Sequence, residues 1–220
     1  MRLRGMIFDM DGTLCDTLTV CIAAFQHVFA DYLGRHYSSE EVLSMFGPSE
    51  EGMIRRMIPD GYEPAYAEFV AEYERMHEER SMGFPGIERA LEMLRARGIL
   101  LGVVTGKGPG TAAISFRHLG LEHYFDVVQA GSPEGGVKPE SIRKVLARWG
   151  MAPGEVAYLG DSPSDMADAI EVGVIPLAAG WAATSAVQDP DCCGAVVTFH
   201  SVAAFCEWIE LELQNVKRKT

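Results

Sequence analysis

No run in the sequence approaches the roughly 18 consecutive apolar residues of a membrane-spanning helix, so a helical span is excluded. The opening stretch MRLRGMIFDM is basic, then apolar, then acidic within ten residues. It lacks a signal peptide's length and cleavage site. No C-x-x-C pair and no histidine cluster at zinc spacing occurs. The five cysteines are Cys15, Cys21, Cys192, Cys193 and Cys206, and the six histidines are scattered. Reduced thiols and a cytoplasmic protein are expected. The adjacent Cys192 and Cys193 are not expected to form a redox pair. Positive charge is scarce: 19 Lys and Arg stand against 31 Asp and Glu, a net charge of -12. Such a chain repels nucleic acid and anionic membranes, and neither is expected as a partner. The one basic run, Lys217-Arg218-Lys219, reads as a solvated tail. The glycines around Gly106, Gly108 and Gly110 lack G-x-G-x-x-G spacing, with Pro109 between the last two, so a dinucleotide site is excluded. There are no internal repeats or low-complexity segments.

What is present is an alternation of two periodicities. The run GMIFD at 5–9 reads as a buried strand ending on a carboxylate. Residues 17–80 have helical periodicity and little strand signal. Within them, Ser38 and Glu41 form a capping-box pattern, and Pro59-Asp60-Gly61 breaks the helical signal. From residue 87 onward, helices alternate with strands at 99–105, 126–130, 156–161, 174–178 and 195–199, and a last helix covers 201–213. That rhythm predicts an α/β fold with a doubly wound parallel sheet. Residues 1–16 and 83–220 form its Rossmann-like core, and 17–82 form a small all-helical cap inserted after the first strand.

In such sheets, ligands bind at the carboxyl ends of the strands. Asp9 and Asp11 follow the first strand, Thr105 follows ILLGVV, Lys138 closes the Gly-rich loop 131–136, and Asp161 follows VAYLG with Asp165 four residues on. Three carboxylates on one rim repel one another, and a hard divalent cation such as Mg²⁺ relieves this. The same cation offsets the long-range repulsion between an acidic chain and a phosphate substrate. Lys138 adds a point charge suited to phosphate. Thr105 and the amides around Gly12, Thr13, Gly106 and Lys107 can donate to phosphate oxygens. Asp9 can attack the phosphorus, and Asp11, two residues on, can act as acid and base. Asp165 also fits a capping role with Ser162, and the two roles are compatible.

The segments D-x-D-G-T-L at 9–14, T-G-K at 105–107, K-P at 138–139 and G-D-S-P-S-D at 160–165 resemble the four motifs of the haloacid dehalogenase-like hydrolases, in order and placement. The resemblance covers about residues 2–215. The insertion resembles the small C1-type cap of the branch that holds phosphoglycolate phosphatases and β-phosphoglucomutases. The resemblance implies that Asp9 is the nucleophile and a Mg²⁺ ligand. It implies that Asp11 is the general acid/base, with its backbone carbonyl on the metal. Thr105 and Lys138 would bind phosphate and balance charge. Asp161 would be the third metal ligand and Asp165 a supporting carboxylate. A carboxylate at position 11 implies an alcohol-type leaving group, hence a phosphatase or phosphomutase.

The cap is where substrate choice is expected. Candidate contacts are the loop Phe46-Gly47-Pro48-Ser49 and the arginines Arg55 and Arg56, which could read a second anion. The expected substrate is a small phosphorylated metabolite, with phosphoglycolate first and pyrophosphate, nucleotides and sugar phosphates behind. A mutase is disfavoured because residues 17–24 hold no His or Lys. A non-catalytic phosphometabolite sensor is the other alternative. A monomer or homodimer is expected.

Overall fold

The computed structural model describes residues 3–79, 82–188 and 194–214. Cys192, Cys193 and the basic tail lie outside them. Six parallel strands form one sheet: β1 (Gly5–Phe8), β2 (Leu100–Val104), β3 (Val127–Gln129), β4 (Val156–Gly160), β5 (Ile175–Ala179) and β6 (Val197–Phe199). Their order is β3-β2-β1-β4-β5-β6. β1 is therefore flanked by β2 and β4, with Phe8 beside both Val103 and Leu159. The chain order reverses at β1, which places the ligand crevice beyond its carboxyl end.

The four central strands, β1, β2, β4 and β5, are apolar because both faces are covered, whereas the edge strands β3 and β6 carry Gln129 and Thr198. Alternation sends Met6 and Phe8 to one side and Ile7 to the other. Met6 and Phe8 pack with residues of α5 (Ile87–Arg95), α6 (Pro109–Leu119) and α9 (Val202–Gln214). Ile7 packs with Ile142 and Val145 of α7 (Lys138–Trp149) and Ala169 of α8 (Pro163–Val172). Proline in the first turn and a left-handed glycine at the end bound α6, α7 and α8.

Between β1 and α5 lie the four α-helices of the insertion: α1 (Leu18–Leu33), α2 (Ser39–Leu43), α3 (Glu50–Met57) and α4 (Tyr62–Glu79). The Ser38–Glu41 capping box forms as the spacing predicts. Phe25 of α1 stacks 4.5 Å from Phe69 of α4. This apolar centre is continuous with the one on the Phe8 side of the sheet. The insertion is also seated by polar contacts. The Ser49 amide donates to the Ser132 carbonyl at 2.9 Å. The Tyr73 and Ser115 hydroxyls lie 2.9 Å apart, and Ser115 lies 3.2 Å from His77 Nε2. At Gly52 the approach is so close that a Cβ would stand 2.2 Å from the Pro133 carbonyl oxygen. The insertion thus lies down on the loop that precedes α7.

Candidate active site

Asp9 is the first residue after β1 and Asp161 the first after β4, and the sheet register sets them side by side. Asp165, in the first turn of α8, completes a buried trio whose carboxylate oxygens lie within 4.8 Å of one another. Lys138, the first residue of α7, donates to Asp9 at 3.0 Å and to Asp165 at 2.5 Å. Burial alone would lower the Lys138 ammonium, but Asp165 and Asp9 outweigh it and hold the group well above its usual value.

One ammonium does not neutralise three acids. Burial pushes Asp9 up to about 7, with Lys138 opposing and Asp165 and Asp11 adding. Burial pushes Asp161 up to about 9, helped by Asp9 and Asp165. Burial also acts on Asp165, but Lys138, Ser162 and Tyr158 outweigh it and keep that carboxylate below its usual value. The difference lies in the partners. Asp165 accepts from Lys138, from the Ser162 amide at 3.1 Å and from the Ser162 hydroxyl at 2.6 Å. Its capping box and its place in the acidic trio coexist. The Asp161 carboxylate receives no hydrogen bond among the described residues. A buried carboxylate with no donor, beside a second at 4.8 Å or less, is a donor set that a hard divalent cation fits. Gly12 makes room for it. Its φ of +74° is left-handed, and a Cβ there would meet Asp161 Oδ2 at 2.1 Å.

Asp11 stands apart from that trio. Its Oδ1 accepts from Lys107 Nζ at 3.2 Å and from the Thr17 hydroxyl. Lys107 is buried and also lies 4.4 Å over the Tyr73 ring. Thr105 is buried, and its hydroxyl oxygen accepts from the Lys107 amide at 3.2 Å, which leaves its proton to donate. The amides of Asp11 and Gly106 have no partner among the described residues. Asp11, Thr105, Gly106 and Lys107 line, with the acidic trio and Lys138, one cavity of about 740 Å³ between the sheet edge and the insertion. It can hold a phosphoryl group against Asp9.

These residues and strand ends carry the motifs of one family. Residues 6–179 match the haloacid dehalogenase-like hydrolase family. The chain belongs to the haloacid dehalogenase-like hydrolases. Its relatives include pyrophosphatase PpaX of Halalkalibacterium halodurans, 27% identical over 184 residues, which span 83% of this chain and 86% of that protein. PpaX of Bacillus pumilus is 29% identical over 181 residues, 81% of this chain and 84% of that protein. Among solved structures, CbbY of Rhodobacter sphaeroides in complex with phosphate is similar at a TM-score of 0.78 and 22% identity, over 94% of this chain and 96% of that one. A predicted phosphoglycolate phosphatase from Haemophilus somnus is similar at 0.76 and 19% identity, over 94% and 98%. At these identities the solved structures share the fold.

Within this haloacid dehalogenase-like frame, four expectations need correction. The Gly12 and Thr13 amides do not point at a ligand: they donate to the Cys15 and Met10 carbonyls inside the turn. The free amides are those of Asp11 and Gly106. The Lys107 side chain is held by carboxylates rather than open to an incoming phosphate. Arg55 lies outside the cavity, exposed, bonded to Glu51 at 2.8 Å and stacked 4.6 Å from the Tyr62 ring. Arg56 does not line the main cavity; it is exposed in an adjoining cavity of about 490 Å³ that shares Phe46, Gly47, Pro48, Met53 and Gly136 with it. Phe46, Gly47 and Pro48 do line the main cavity.

Two residues escaped the sequence reading. Thr17 fixes Asp11 from the start of the insertion. Glu50, in the first turn of α3, is buried and accepts from the Gly108 amide at 2.6 Å and the Thr111 hydroxyl at 2.7 Å. The acidic first turn after Ser49 was visible, but a glutamate there ordinarily faces solvent.

Proposed function

We propose that this hydrolase is a Mg²⁺-dependent phosphatase acting on a small phosphorylated metabolite through an aspartyl-phosphate on Asp9. The observation that carries the reading is the placement of Asp9 between Lys138 and the undonated Asp161 at the sheet's switch point, with Asp11 across the cavity. Asp9, Asp161 and the Asp11 carbonyl, with Asp165 in support, would hold Mg²⁺, which supplies positive charge to the phosphoryl oxygens when bound.

The chain's own groups do the rest. Lys138 and the Thr105 hydroxyl, with the Asp11 and Gly106 amides, orient the phosphoryl oxygens. An Asp9 oxygen attacks phosphorus as the bond to the leaving oxygen breaks, and protonated Asp11 gives that oxygen its proton. Asp11, now ionised, takes a proton from water as the water oxygen attacks the aspartyl-phosphate. The bond between phosphorus and Asp9 breaks, and orthophosphate leaves. Lys107 and Thr17 occupy one oxygen of Asp11, which leaves the other for the leaving group. Residues 17–82, lying over the core of 1–16 and 83–220, act as a cap that excludes bulk water.

The layout resembles phosphoglycolate phosphatases, and the curated relatives above are named pyrophosphatases. The test is orthophosphate release with Mg²⁺ over a panel of phosphate esters and pyrophosphate, beside Asp9→Asn. Release that is silent in Asp9→Asn supports the reading. Release that persists near the wild-type rate in Asp9→Asn overturns it.

A further inference from the structure

The two sides of the active-site cavity differ in chemistry. The sheet side is polar and charged. The insertion side presents Leu18, Cys21, Phe25, Leu43, Phe46 and Met53, with Glu50 its one charged side chain among the described residues. No arginine or histidine lines the cavity among the described residues, and its two cations are Lys107 and Lys138. Both are already engaged. Lys107 sits 3.2 Å from Asp11 and 3.6 Å from Glu50. Lys138 sits 3.0 Å from Asp9 and 2.5 Å from Asp165. Seven acids line the same cavity, and two of them, Asp168 and Glu171, lie away from the reacting centre on α8. A second anion held within this cavity, short of Arg56 in the adjoining one, would meet apolar side chains or carboxylates, and its desolvation would go uncompensated.

The insertion side also exposes apolar surface. Leu43 and Phe46 remain 41% and 40% exposed, although they face the cavity. The Phe46 ring packs edge-on against Phe25 at 6.2 Å, so it is held in place with one face open. The cavity volume of about 740 Å³ is that of a site for a medium-sized organic molecule.

Resting on the phosphatase reading, we propose that the leaving group is an uncharged alcohol with an apolar or aromatic body that packs on Phe46 and Leu43. Substrates whose leaving group carries a second phosphate or a carboxylate are the poor ones. Phosphoglycolate and pyrophosphate fall in that second class. The phosphoryl end is read by the sheet side, and the hydrocarbon end by the insertion.

The test compares ethyl, butyl and benzyl phosphate, 4-carboxybenzyl phosphate, phosphoglycolate and pyrophosphate, all with Mg²⁺. The ethyl, benzyl and 4-carboxybenzyl alcohols have similar acidity, so differences report on the cavity rather than on the leaving group. Each buried methylene is worth about fourfold in kcat/KM. Benzyl over ethyl phosphate is therefore expected to exceed tenfold, and 4-carboxybenzyl to fall at least tenfold below benzyl. The benzyl-to-ethyl ratio narrows at least fivefold in Phe46→Ala and in Leu43→Ala. Equal rates on ethyl and benzyl phosphate, or preference for 4-carboxybenzyl phosphate, phosphoglycolate or pyrophosphate, would overturn the inference and leave the phosphatase reading standing. If no ester is turned over, the phosphatase reading fails, and binding decides the inference by itself. Titration calorimetry with benzylphosphonate and 4-carboxybenzylphosphonate supports it when the uncharged ligand binds at least tenfold tighter, and overturns it otherwise.

Discussion

Glu50 and Lys107 come from opposite sides of the cleft and meet at 3.6 Å. Glu50 belongs to α3 of the insertion, Lys107 to the loop after β2. Lys107 in turn reaches Asp11 at 3.2 Å. A carboxylate of the insertion is thereby linked, through one buried ammonium, to the residue proposed as acid and base. Glu50 also ties the insertion to the Gly108 amide and the Thr111 hydroxyl. With the insertion seated on the core, Lys107 lies between two carboxylates and Asp11 is held.

That link predicts a graded pair of variants. Glu50→Gln weakens charge-assisted bonds worth about 1.5–3 kcal/mol each. It is expected to lower kcat by about 10- to 100-fold on every ester alike, because it acts on Asp11 and not on the leaving group. Steady-state kinetics checks this. A rise in KM with kcat unchanged would instead place Glu50 in uniform substrate binding. Lys107→Met leaves Glu50 buried without a cation and is expected to destabilise the fold by about 3–5 kcal/mol, read by urea denaturation.

Asp11→Asn keeps the shape of the side chain and removes its proton chemistry. Turnover is expected to fall by about 10²–10⁴-fold. Both steps need Asp11, but an aryl phosphate with a good leaving group needs it only in the second. With such an ester, the variant should accumulate phosphate on Asp9. Mass spectrometry of the peptide containing Asp9 checks this, and an adduct on any other residue would displace Asp9 as nucleophile.

The acidic trio predicts a metal response in stability as well as in rate. Asp161 has no donor among the described residues, and burial and its neighbours push it up to about 9. Mg²⁺ at about 100 times its dissociation constant should therefore stabilise the protein by about 2.7 kcal/mol. Asp161→Asn removes a carboxyl group that must take up a proton to be buried in the absence of the ion. It is expected to raise Tm in chelator and to abolish the rise on adding Mg²⁺. Thermal melts of both proteins, with and without Mg²⁺, give the four values needed. An unchanged Mg²⁺ shift in the variant would remove Asp161 from the ion's site.

His77 predicts a pH dependence away from the reacting groups. It is buried between α4 and α6, with Nδ1 2.9 Å from the Tyr73 carbonyl and Nε2 3.2 Å from the Ser115 hydroxyl. His118 of α6 and Lys107 also face it, as does Asp11 at longer range. Burial lowers its value below the usual one, and Lys107 and His118 act in the same direction. Below about pH 6.5 the unfolded chain then binds a proton that the folded chain refuses. Stability falls as pH drops through that range and is unaffected by His77 above it. His77→Gln retains a donor and an acceptor but cannot titrate. Urea midpoints at about pH 7.5 and pH 5.5 should differ less in the variant than in the wild type.

How much of this was legible depends on the range of the interaction. The central strands were, because a strand buried on both faces is an unbroken apolar run. Asp9, Thr105 and Asp161 stand where those runs stop. Lys138 was readable from its place between a glycine-rich loop and a proline. Arg55 was misjudged, although Glu51 four residues earlier already marked an exposed helical pair. Gly12 and Thr13 were misread because amide direction depends on the turn's left-handed φ, which composition does not disclose. Glu50 was beyond reach. Its burial depends on residues 49–52 docking on 132–135, a contact between distant segments.

Gly12 concentrates the last prediction. Its φ of +74° disfavours any other residue, and the missing Cβ is where Asp161 Oδ2 sits, 2.1 Å from the position that atom would take. Gly12→Ala cannot be absorbed by a small shift, because the added Cβ would overlap not only Oδ2 but also Asp161 Cγ, at 2.4 Å. Either the turn moves, which displaces Asp11, or Asp161 rotates away from Asp9. Both outcomes weaken the ion's site while leaving Lys138 on Asp9. The variant is therefore expected to fold, to need at least tenfold more Mg²⁺ for half-maximal phosphate release, and to lose most of the Mg²⁺-induced rise in Tm. A wild-type Mg²⁺ titration in Gly12→Ala would show that the close approach to Asp161 has no part in holding the ion.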